Sequence, residues 1–268
     1  MANLDLLRSH IAGFGRVLLG YSGGVDSALL AVVCRQALGG DHFLAAIGRS
    51  ASYPEAQYQT ALAIARTFEL PLIELATNEL ADPRYRANPV NRCYFCKQEL
   101  WTALAALAAE RGFDVVVDGT NADDLTEHRP GLLAAAETQV RSPLAELGWT
   151  KPMVRNAARS LGLSIWDAPA QPCLSSRIKY GVEVTPARLA QIEAAEAFVR
   201  SIGVRSDLRV RHLGLGARVE VSPAELELVR REWSRIEPQL RALGFESVQL
   251  DAQGYRRGAM LQVLAASA

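Results

Sequence analysis

The sequence predicts an α/β fold in which a parallel sheet has helices on both faces, followed by a small C-terminal α+β domain. Three observations lead to this prediction. Short apolar strands alternate with amphipathic helical segments through the first two thirds of the 268 residues. A turn of glycine and serine joins the first strand to the helix that follows it. A connector containing prolines, residues 166–172, then marks a change of composition.

The larger predicted domain covers residues 1–170. Its predicted strands are residues 16–19, 42–47, 72–75 and 115–117. The helices predicted between them are residues 25–37, 54–68 and 97–111, with glycines as the stop signals of the first and the last. In open parallel sheets ligands bind beyond the carboxyl ends of the strands, so the loops that follow these strands should line one crevice.

The smaller predicted domain covers residues 171–268 and is expected to bind the substrate or to form contacts between subunits. Its pattern is a helix, a hairpin, a helix and a final strand, which favours a small antiparallel sheet with helices on one face. These elements are predicted at residues 186–202, 208–212, 217–221, 223–243 and 247–250.

Composition and charge describe an ordinary soluble globular chain. Hydrophobic residues make up 49% and charged residues 22%, which suffices for well-buried cores. Lysine plus arginine equals aspartate plus glutamate at 29 each, so no global positive field favours nucleic acid. The N-terminus lacks the basic start of a signal peptide, and no apolar run approaches the roughly 20 residues that span a bilayer. We therefore expect a cytoplasmic protein without a membrane partner.

The segment Ser22-Gly23-Gly24-Val25-Asp26-Ser27, called the phosphate loop below, lies where an apolar strand turns into a helix. Two glycines let the backbone approach an anion closely, and the amides of the first helical turn point toward it. The helix dipole adds partial positive charge, and two serine hydroxyls are further donors. The spacing predicts a binding site for a pyrophosphate group.

Two common nucleotide-binding loops do not fit this segment. A Walker loop requires a lysine after its glycines, and none is present here. In a Rossmann interpretation Gly13 and Gly15 would precede the strand, and Leu18 would occupy the place of the third glycine. The phosphate loop instead resembles the PP-loop of the ATP pyrophosphatases, which have an adenine nucleotide α-hydrolase-like fold and transfer AMP to a substrate. The resemblance implies that Asp26 helps to hold Mg²⁺ on the departing pyrophosphate.

Further candidate residues follow the other strands. Arg49 comes directly after the second strand, and Asp118-Gly119-Thr120-Asn121 follows the fourth. Asp123 and Asp124 either cap the next helix or serve a second Mg²⁺ or the substrate. Lys151 begins a helix that resembles the segment closing the synthetase domain in this superfamily, where a lysine reaches toward phosphate.

Cysteines supply the second kind of chemistry. Cys93 and Cys96 are three residues apart in the sequence, so they share a helix face and can point at one spot. The pair fits a redox centre, half of a zinc site or part of an iron–sulfur site, although no fourth zinc ligand is evident. Cys173 lies among basic residues and serines, which favours a nucleophilic or metal-ligating thiol. Cys34 is predicted to be a core residue of an apolar helix face.

A closer resemblance is carried by five segments together: the phosphate loop, Asn91 to Lys97, Asp118 to Asn121, Pro172 to Arg177, and Leu208 to His212. In this combination the chain resembles the LarE sulfur-insertion enzymes from about residue 10 to about residue 260. These are ATP-dependent pyridinium-3,5-biscarboxylic acid mononucleotide sulfurtransferases. They supply sulfur for the nickel-pincer nucleotide of lactate racemase.

The LarE resemblance implies how the cysteines act. In that family the cysteine matching Cys173 either gives up its own sulfur or joins two others as ligands of a 4Fe-4S cluster. Because this chain has Cys93 and Cys96 as well, it resembles the cluster type. The resemblance leaves the sulfur donor open and implies a homo-oligomer, with a hexamer as one candidate.

The LarE resemblance also assigns binding roles. ATP and Mg²⁺ are implied at the phosphate loop. Residues assigned to cofactor or substrate binding are Ser22, Gly23, Gly24, Asp26, Ser27, Arg49, Lys97, Gly119, Thr120, Arg209 and Arg211. The two arginines of the fifth predicted strand would grip the phosphate of the substrate, or form a solvent-facing stripe of that strand. Glu220 would ligate a metal or pair with an arginine.

Three rival functions share part of this pattern. A tRNA thiolase would have the PP-loop and paired cysteines, but the neutral charge balance and the lack of an added RNA-binding domain argue against it. An ammonia-using synthetase similar to NAD synthetase would need no cysteine triad. A third alternative is a non-catalytic ATP-binding protein whose cysteine pair forms a structural zinc clip.

Overall fold

The computed structural model describes residues 3–126 and 130–256, which form two compact units. The first comprises Met1–Asp82 and Asn91–Gln171, and the second comprises Pro83–Val90 and Pro172–Ala268. The predicted boundary after residue 170 did not assign Pro83–Val90 to the second unit. This segment belongs there because the Asn88 Nδ2 donates to the carbonyl oxygens of Lys179 and Val182, each at 2.9 Å.

The first unit is built on a parallel four-stranded sheet, which confirms the predicted fold class. Its strands are β1 Val17–Gly20, β2 Phe43–Arg49, β3 Leu72–Ala76 and β4 Val115–Val117. The strand order is β3-β2-β1-β4, with every neighbouring pair parallel. The chain therefore runs outward from β1 through β2 to β3 and then crosses back to β4, on the other side of β1. Such a reversal opens a crevice at the carboxyl ends of β1 and β4.

Helices cover both faces of this sheet because alternate residues of its strands are buried on opposite sides. Val17 and Leu19 belong to one apolar core, and Leu18 packs with Trp101 and Leu104 in another. The helices of the first unit are α1 Leu4–Ala12, α2 Val25–Leu38, α3 Glu55–Thr67, α5 Arg92–Arg111, α6 Pro130–Glu137, α7 Pro143–Glu146 and α8 Lys151–Ser160. The short helix α4, Pro83–Arg86, belongs to the second unit.

The second unit has a three-stranded sheet of order β5-β6-β7 and its own apolar core. Its other elements are α9 Pro186–Ser201, β5 Leu208–His212, β6 Gly216–Val221, α10 Leu226–Arg231, α11 Trp233–Ala242 and β7 Ser247–Leu250. The predicted part of this domain at residues 257–268 lies outside the described residues. In the part of the chain that is described, no helix is long and apolar enough to cross a membrane.

Two predictions for the second unit were wrong in detail. The sheet is mixed, since β5 and β6 are antiparallel but β6 and β7 are parallel. The helices between β6 and β7 form a crossover, which returns the chain in the same direction. The single helix predicted at residues 223–243 is divided at Glu232, with a one-turn helix Pro223–Glu225 before α10.

Candidate active site

The phosphate loop connects β1 to α2 and is closed by its own hydroxyl groups. Gly23 has a left-handed backbone with φ of 67°, and Gly24 is the extended residue before the first turn of α2. The Ser27 hydroxyl donates to the Gly24 carbonyl oxygen at 3.0 Å and accepts from the Ser22 amide at 3.2 Å. This closure leaves the first turn of α2 at the mouth of the loop, where its amides and the helix dipole favour an anion.

Residues at the beginning of α3 hold the outer side of the phosphate loop. The Tyr53 hydroxyl and the Gln57 Nε2 both donate to the carbonyl oxygen of Ser22, at 2.8 Å and 2.7 Å. A Cβ atom on Gly23 would lie 2.6 Å from the Cβ of Ala61, so α3 packs directly against the glycine. Sequence reasoning missed Tyr53 and Gln57, because contacts across more than 30 residues leave no local pattern.

The loop after β4 packs against the same turn of α2. A Cβ atom on Gly119 would lie 2.7 Å from the backbone nitrogen of Ser27, so only glycine permits this approach. The Asp118 carboxylate accepts from the Thr120 amide at 3.0 Å and from its hydroxyl at 2.7 Å. A third donor to this carboxylate is the Ser142 hydroxyl at 2.7 Å. The structure therefore brings the predicted residues Gly119 and Thr120 beside the phosphate loop.

Asp26 lies at the mouth of the loop, where it contacts two side chains. Asn121 Nδ2 donates to one carboxylate oxygen at 3.1 Å, and the Lys151 ammonium forms an ion pair with the other. Asp123 accepts a hydrogen bond of 2.8 Å from the backbone amide of Lys151, so it caps α8. A carboxylate with a neighbouring ammonium group provides both charges needed around a magnesium pyrophosphate.

The end of β2 carries Arg49, which contacts α3. Its Nη2 donates to the Glu55 carboxylate at 2.6 Å, and its guanidinium lies 3.9 Å from the centre of the Tyr58 ring. The buried Glu79 accepts a hydrogen bond of 2.6 Å from the Ser50 hydroxyl. Among the described residues, Arg49 Nη1, Gln57 Oε1 and Glu79 Oε2 are buried atoms without a hydrogen-bond partner. One hydrogen-bond donor and two acceptors near the carboxyl ends of β2 and β3 are therefore available to a ligand.

Helix α5 begins with the paired cysteines. It starts at Arg92, so Cys93 and Cys96 lie in its first turns, Cys93 exposed and Cys96 half-buried. Lys97 lies with its Nζ 4.7 Å from the centre of the Trp101 ring. Cys34 is fully buried in α2, where burial raises the pKa of its thiol, in agreement with its predicted role in the core. Cys93 and Cys96 are therefore the accessible thiols of the first unit.

Cys173 lies in the second unit, in the segment 172–177, called the cysteine loop below. The half-buried Cys173 precedes a one-turn helix, Leu174–Arg177. The buried Arg177 guanidinium donates to the carbonyl oxygens of Pro172 and Cys173, the latter at 3.0 Å. The Glu196 carboxylate binds the other side of the same guanidinium at 3.0 and 3.1 Å. A buried ion pair therefore fixes the backbone that carries the thiol.

The arginines of β5 lie behind the cysteine loop. Arg209 and Arg211 are 3% and 6% exposed, so the alternative of a solvent-facing stripe was wrong. Arg211 donates to Glu220 at 2.8 Å and to the carbonyl oxygen of Ser176 at 3.1 Å. Burial, followed by the charge of Arg177, lowers the pKa of Arg209. Glu220 also pairs with Arg218 at 2.9 Å, which is the second of its two predicted roles.

Metal ligation is the least defined part of the site. Within residues 3–126 and 130–256, no three His, Cys, Asp or Glu side chains are grouped so that they could hold a metal ion. The assignments of Cys93, Cys96, Cys173, Asp26 and Glu220 to metals stay predictions.

The fold and the phosphate loop together define an ATP-using enzyme of the PP-loop class. The profile of the NAD synthase family matches residues 4–85, which include the phosphate loop, helices α2 and α3, and strands β1 to β3. This match is consistent with a loop that binds the pyrophosphate part of ATP.

Three relatives match nearly the whole chain. An uncharacterized protein of Synechocystis is 41% identical over 265 residues, covering 98% of each chain. The pyridinium-3,5-bisthiocarboxylic acid mononucleotide synthase of Lactiplantibacillus plantarum is 33% identical over 249 residues, 93% of this chain and 90% of that protein. An uncharacterized protein of Methanocaldococcus jannaschii is 30% identical over 241 residues, 90% and 91% of the two chains. The chain belongs to the LarE family of PP-loop proteins, as its motifs predicted.

Proposed function

We propose that the protein is an ATP-dependent sulfurtransferase that converts the carboxylates of pyridinium-3,5-biscarboxylic acid mononucleotide to thiocarboxylates. The observation that carries the proposal is the cysteine loop, where a half-buried thiol is held by a buried ion pair on a chain that also has a phosphate loop. The Lactiplantibacillus plantarum relative is named for the bisthiocarboxylic acid mononucleotide that it makes, which supports the same product here. The product would serve the synthesis of a nickel-pincer nucleotide, the cofactor of lactate racemase.

The first proposed step activates a carboxylate of the substrate. One carboxylate oxygen attacks the α-phosphorus of ATP, and the bond from that phosphorus to the oxygen bridging the β-phosphate breaks. Pyrophosphate leaves with the electron pair, and an acyl-adenylate remains. The amides of the phosphate loop and the Lys151 ammonium stabilise the charge on the leaving group. Asp26 would hold Mg²⁺, a hard cation that prefers carboxylate oxygens.

The second proposed step forms the thiocarboxylate. A sulfide sulfur attacks the acyl carbon, the bond to the adenylate oxygen breaks, and AMP leaves with that oxygen. Two carboxylates require two such rounds. The sulfur is proposed to come from a 4Fe-4S cluster, which Cys93, Cys96 and Cys173 would hold and which would supply the sulfide for this step. Membership of the LarE family is what supports this set of three cysteines.

Substrate recognition is proposed to use the second unit. The substrate carries a phosphate group, and the guanidiniums of Arg209 and Arg211 can bind phosphate through charge-assisted hydrogen bonds. Lys97 and Arg49 are proposed as further contacts to the nucleotide or substrate, and a homo-oligomer as the working assembly.

The experiment that tests this proposal combines metal analysis with product analysis. Protein purified without oxygen is assayed for iron, sulfide and visible absorption, as wild type, Cys173→Ala and the buried control Cys34→Ala. We expect about four irons per chain in the wild type and the control, and their loss in Cys173→Ala. With Mg-ATP and a sulfide source, AMP and thiocarboxylate should form only when the pyridinium dicarboxylate is present.

Two results would contradict parts of the proposal separately. If the wild type contained no iron and could not be reconstituted, the proposed cluster would be wrong. If thiocarboxylate formed with loss of the Cys173 sulfur, the sulfurtransferase activity would stand, but the sulfur would come from Cys173 itself. AMP formation that depends on tRNA, or on ammonia, would overturn the proposed substrate and reaction.

A further inference from the structure

The carbonyl oxygen of Ser22 receives two side-chain donors from the start of α3. These are the Tyr53 hydroxyl at 2.8 Å and the Gln57 Nε2 at 2.7 Å. Burial raises the pKa of Tyr53, so its hydroxyl keeps its proton. The Gln57 amide cannot be reversed, because its Oε1 would then face the Ser22 oxygen. That Oε1 is buried without a hydrogen-bond partner among the described residues, so the bond from Nε2 accounts for the orientation of the amide.

These two donors determine which way the next amide points. In a trans peptide the C=O and the following N–H point in opposite directions. Because the Ser22 carbonyl is turned toward α3, the Gly23 N–H is turned away from it. Gly23 has φ of 67°, but glycine adopts either sign of φ, so the loop sequence does not fix this peptide plane. A flipped peptide would present a carbonyl oxygen, which repels phosphate, in place of an amide donor.

We infer that Tyr53 and Gln57 are positioning residues for ATP, because they hold the Ser22–Gly23 peptide with its N–H toward the pyrophosphate group. They act through the loop and do not touch the reacting atoms. The inference rests on the proposed function only in requiring that the phosphate loop binds ATP. It adds α3 to the binding machinery, which the loop motif alone does not include.

The test measures binding by calorimetry on the full chain, with Mg-ATP, magnesium pyrophosphate and adenosine as separate ligands. The variants are Tyr53→Phe, Gln57→Met and the double variant, and Gln59→Met is the matched control. Gln59 is on the exposed side of the same helix, and within the described part of the chain its amide donates to Glu55 at 2.7 Å. Tyr53→Phe removes a single oxygen atom, so the fold of this variant should be intact.

Each single variant should weaken the binding of Mg-ATP and of pyrophosphate about 2- to 12-fold, which corresponds to one hydrogen bond, and the double variant about 5- to 150-fold. Adenosine affinity should be unchanged in every variant, and Gln59→Met should bind all three ligands as the wild type does. Pyrophosphate affinity within twofold of wild type in the double variant would overturn the inference, as would an equal loss of adenosine affinity. If the wild type bound neither Mg-ATP nor pyrophosphate, both the inference and the proposed function would be wrong. This result can be told apart from the two above, because there the wild type still binds Mg-ATP.

Discussion

The phosphate loop and the cysteine loop are supported by different chemistry. In each, a backbone carbonyl oxygen accepts hydrogen bonds from side chains of the same unit. The Ser22 carbonyl accepts from a neutral hydroxyl and a neutral amide, whereas the Cys173 carbonyl accepts from the Ser176 hydroxyl and also from the charged guanidinium of Arg177. Neutral donors leave the partial positive charge of the helix start for the ligand. The charged support instead makes the cysteine loop depend on a buried ion pair.

The largest expected effect is the loss of this buried ion pair. In Glu196→Gln the Arg177 guanidinium, 3% exposed, loses its carboxylate partner. Removing one partner of a buried pair leaves an uncompensated charge, so the free energy of unfolding should fall by about 3–5 kcal/mol. Urea unfolding at pH 7.5 measures the change.

Two control variants separate charge from loop geometry. Glu227→Gln removes a partner from an exposed pair with Arg230 and should change the free energy of unfolding by less than about 1 kcal/mol. Arg177→Met combined with Glu196→Met should recover most of the lost stability, because neither partner then remains as an unpaired buried charge. If this double variant also had the full sulfurtransferase activity of the wild type, the Arg177 guanidinium would have no role in holding the Cys173 backbone.

The next effect is a dependence of stability on pH through His212. The end of β5 adjoins the chain that leaves the cysteine loop, since the Lys179 amide donates to the His212 carbonyl oxygen at 2.9 Å. Burial, followed by the charge of Arg188, lowers the pKa of His212 to about 4. Its Nδ1 accepts from the Gly214 amide at 3.2 Å, which a proton on Nδ1 would prevent.

The direction of this effect follows from proton uptake. The unfolded His212 has a pKa of about 6.5, so the unfolded state binds the proton first as the pH falls. Stability present above pH 6.5 should be lost progressively toward pH 4, by about 3 kcal/mol at the end of this range. Urea unfolding across this range should show a flatter dependence in His212→Gln. The control is His42→Gln, at an exposed histidine. If stability depended on pH equally in His212→Gln and in His42→Gln, the assignment of the effect to His212 would be contradicted.

The phosphate loop should respond instead to a change in packing. In Gly119→Ala the new methyl group would lie 2.7 Å from the Ser27 nitrogen, so the loop after β4 must move away from α2. Overpacking of this kind costs about 1–3 kcal/mol. We expect weaker Mg-ATP binding together with a lower free energy of unfolding. Gly40→Ala is the matched control, because its methyl group would come no nearer than 3.9 Å to Arg35, and equal behaviour of the two variants would refute the prediction.

Sequence alone predicted the parts of this molecule that local patterns encode. The phosphate loop lies between a strand and a helix that adjoin it in sequence, so the motif and its surroundings were found together. The supports of both loops were missed, because Tyr53 lies 31 residues from Ser22 and Glu196 lies 19 from Arg177. No spacing rule connects such residues. The strand β7 was predicted at its observed position, but its parallel direction was not, because the helical pattern before it does not show the crossover.

The smallest expected effect on stability concerns the ion pair between Asp26 and Lys151. The two side chains are 21% and 35% exposed, so water screens the pair, and Lys151→Gln should lower the free energy of unfolding by less than about 1 kcal/mol. Mg-ATP affinity should nevertheless fall, because the ammonium is a candidate phosphate contact. Urea unfolding and calorimetry on one preparation measure both quantities.

A loss of stability as large as that of Glu196→Gln would mean that this pair is structural. A small loss of stability would instead mean that Lys151 can leave Asp26 and bind a ligand with little change in the free energy of unfolding. The ion pair of the cysteine loop cannot be broken in this way.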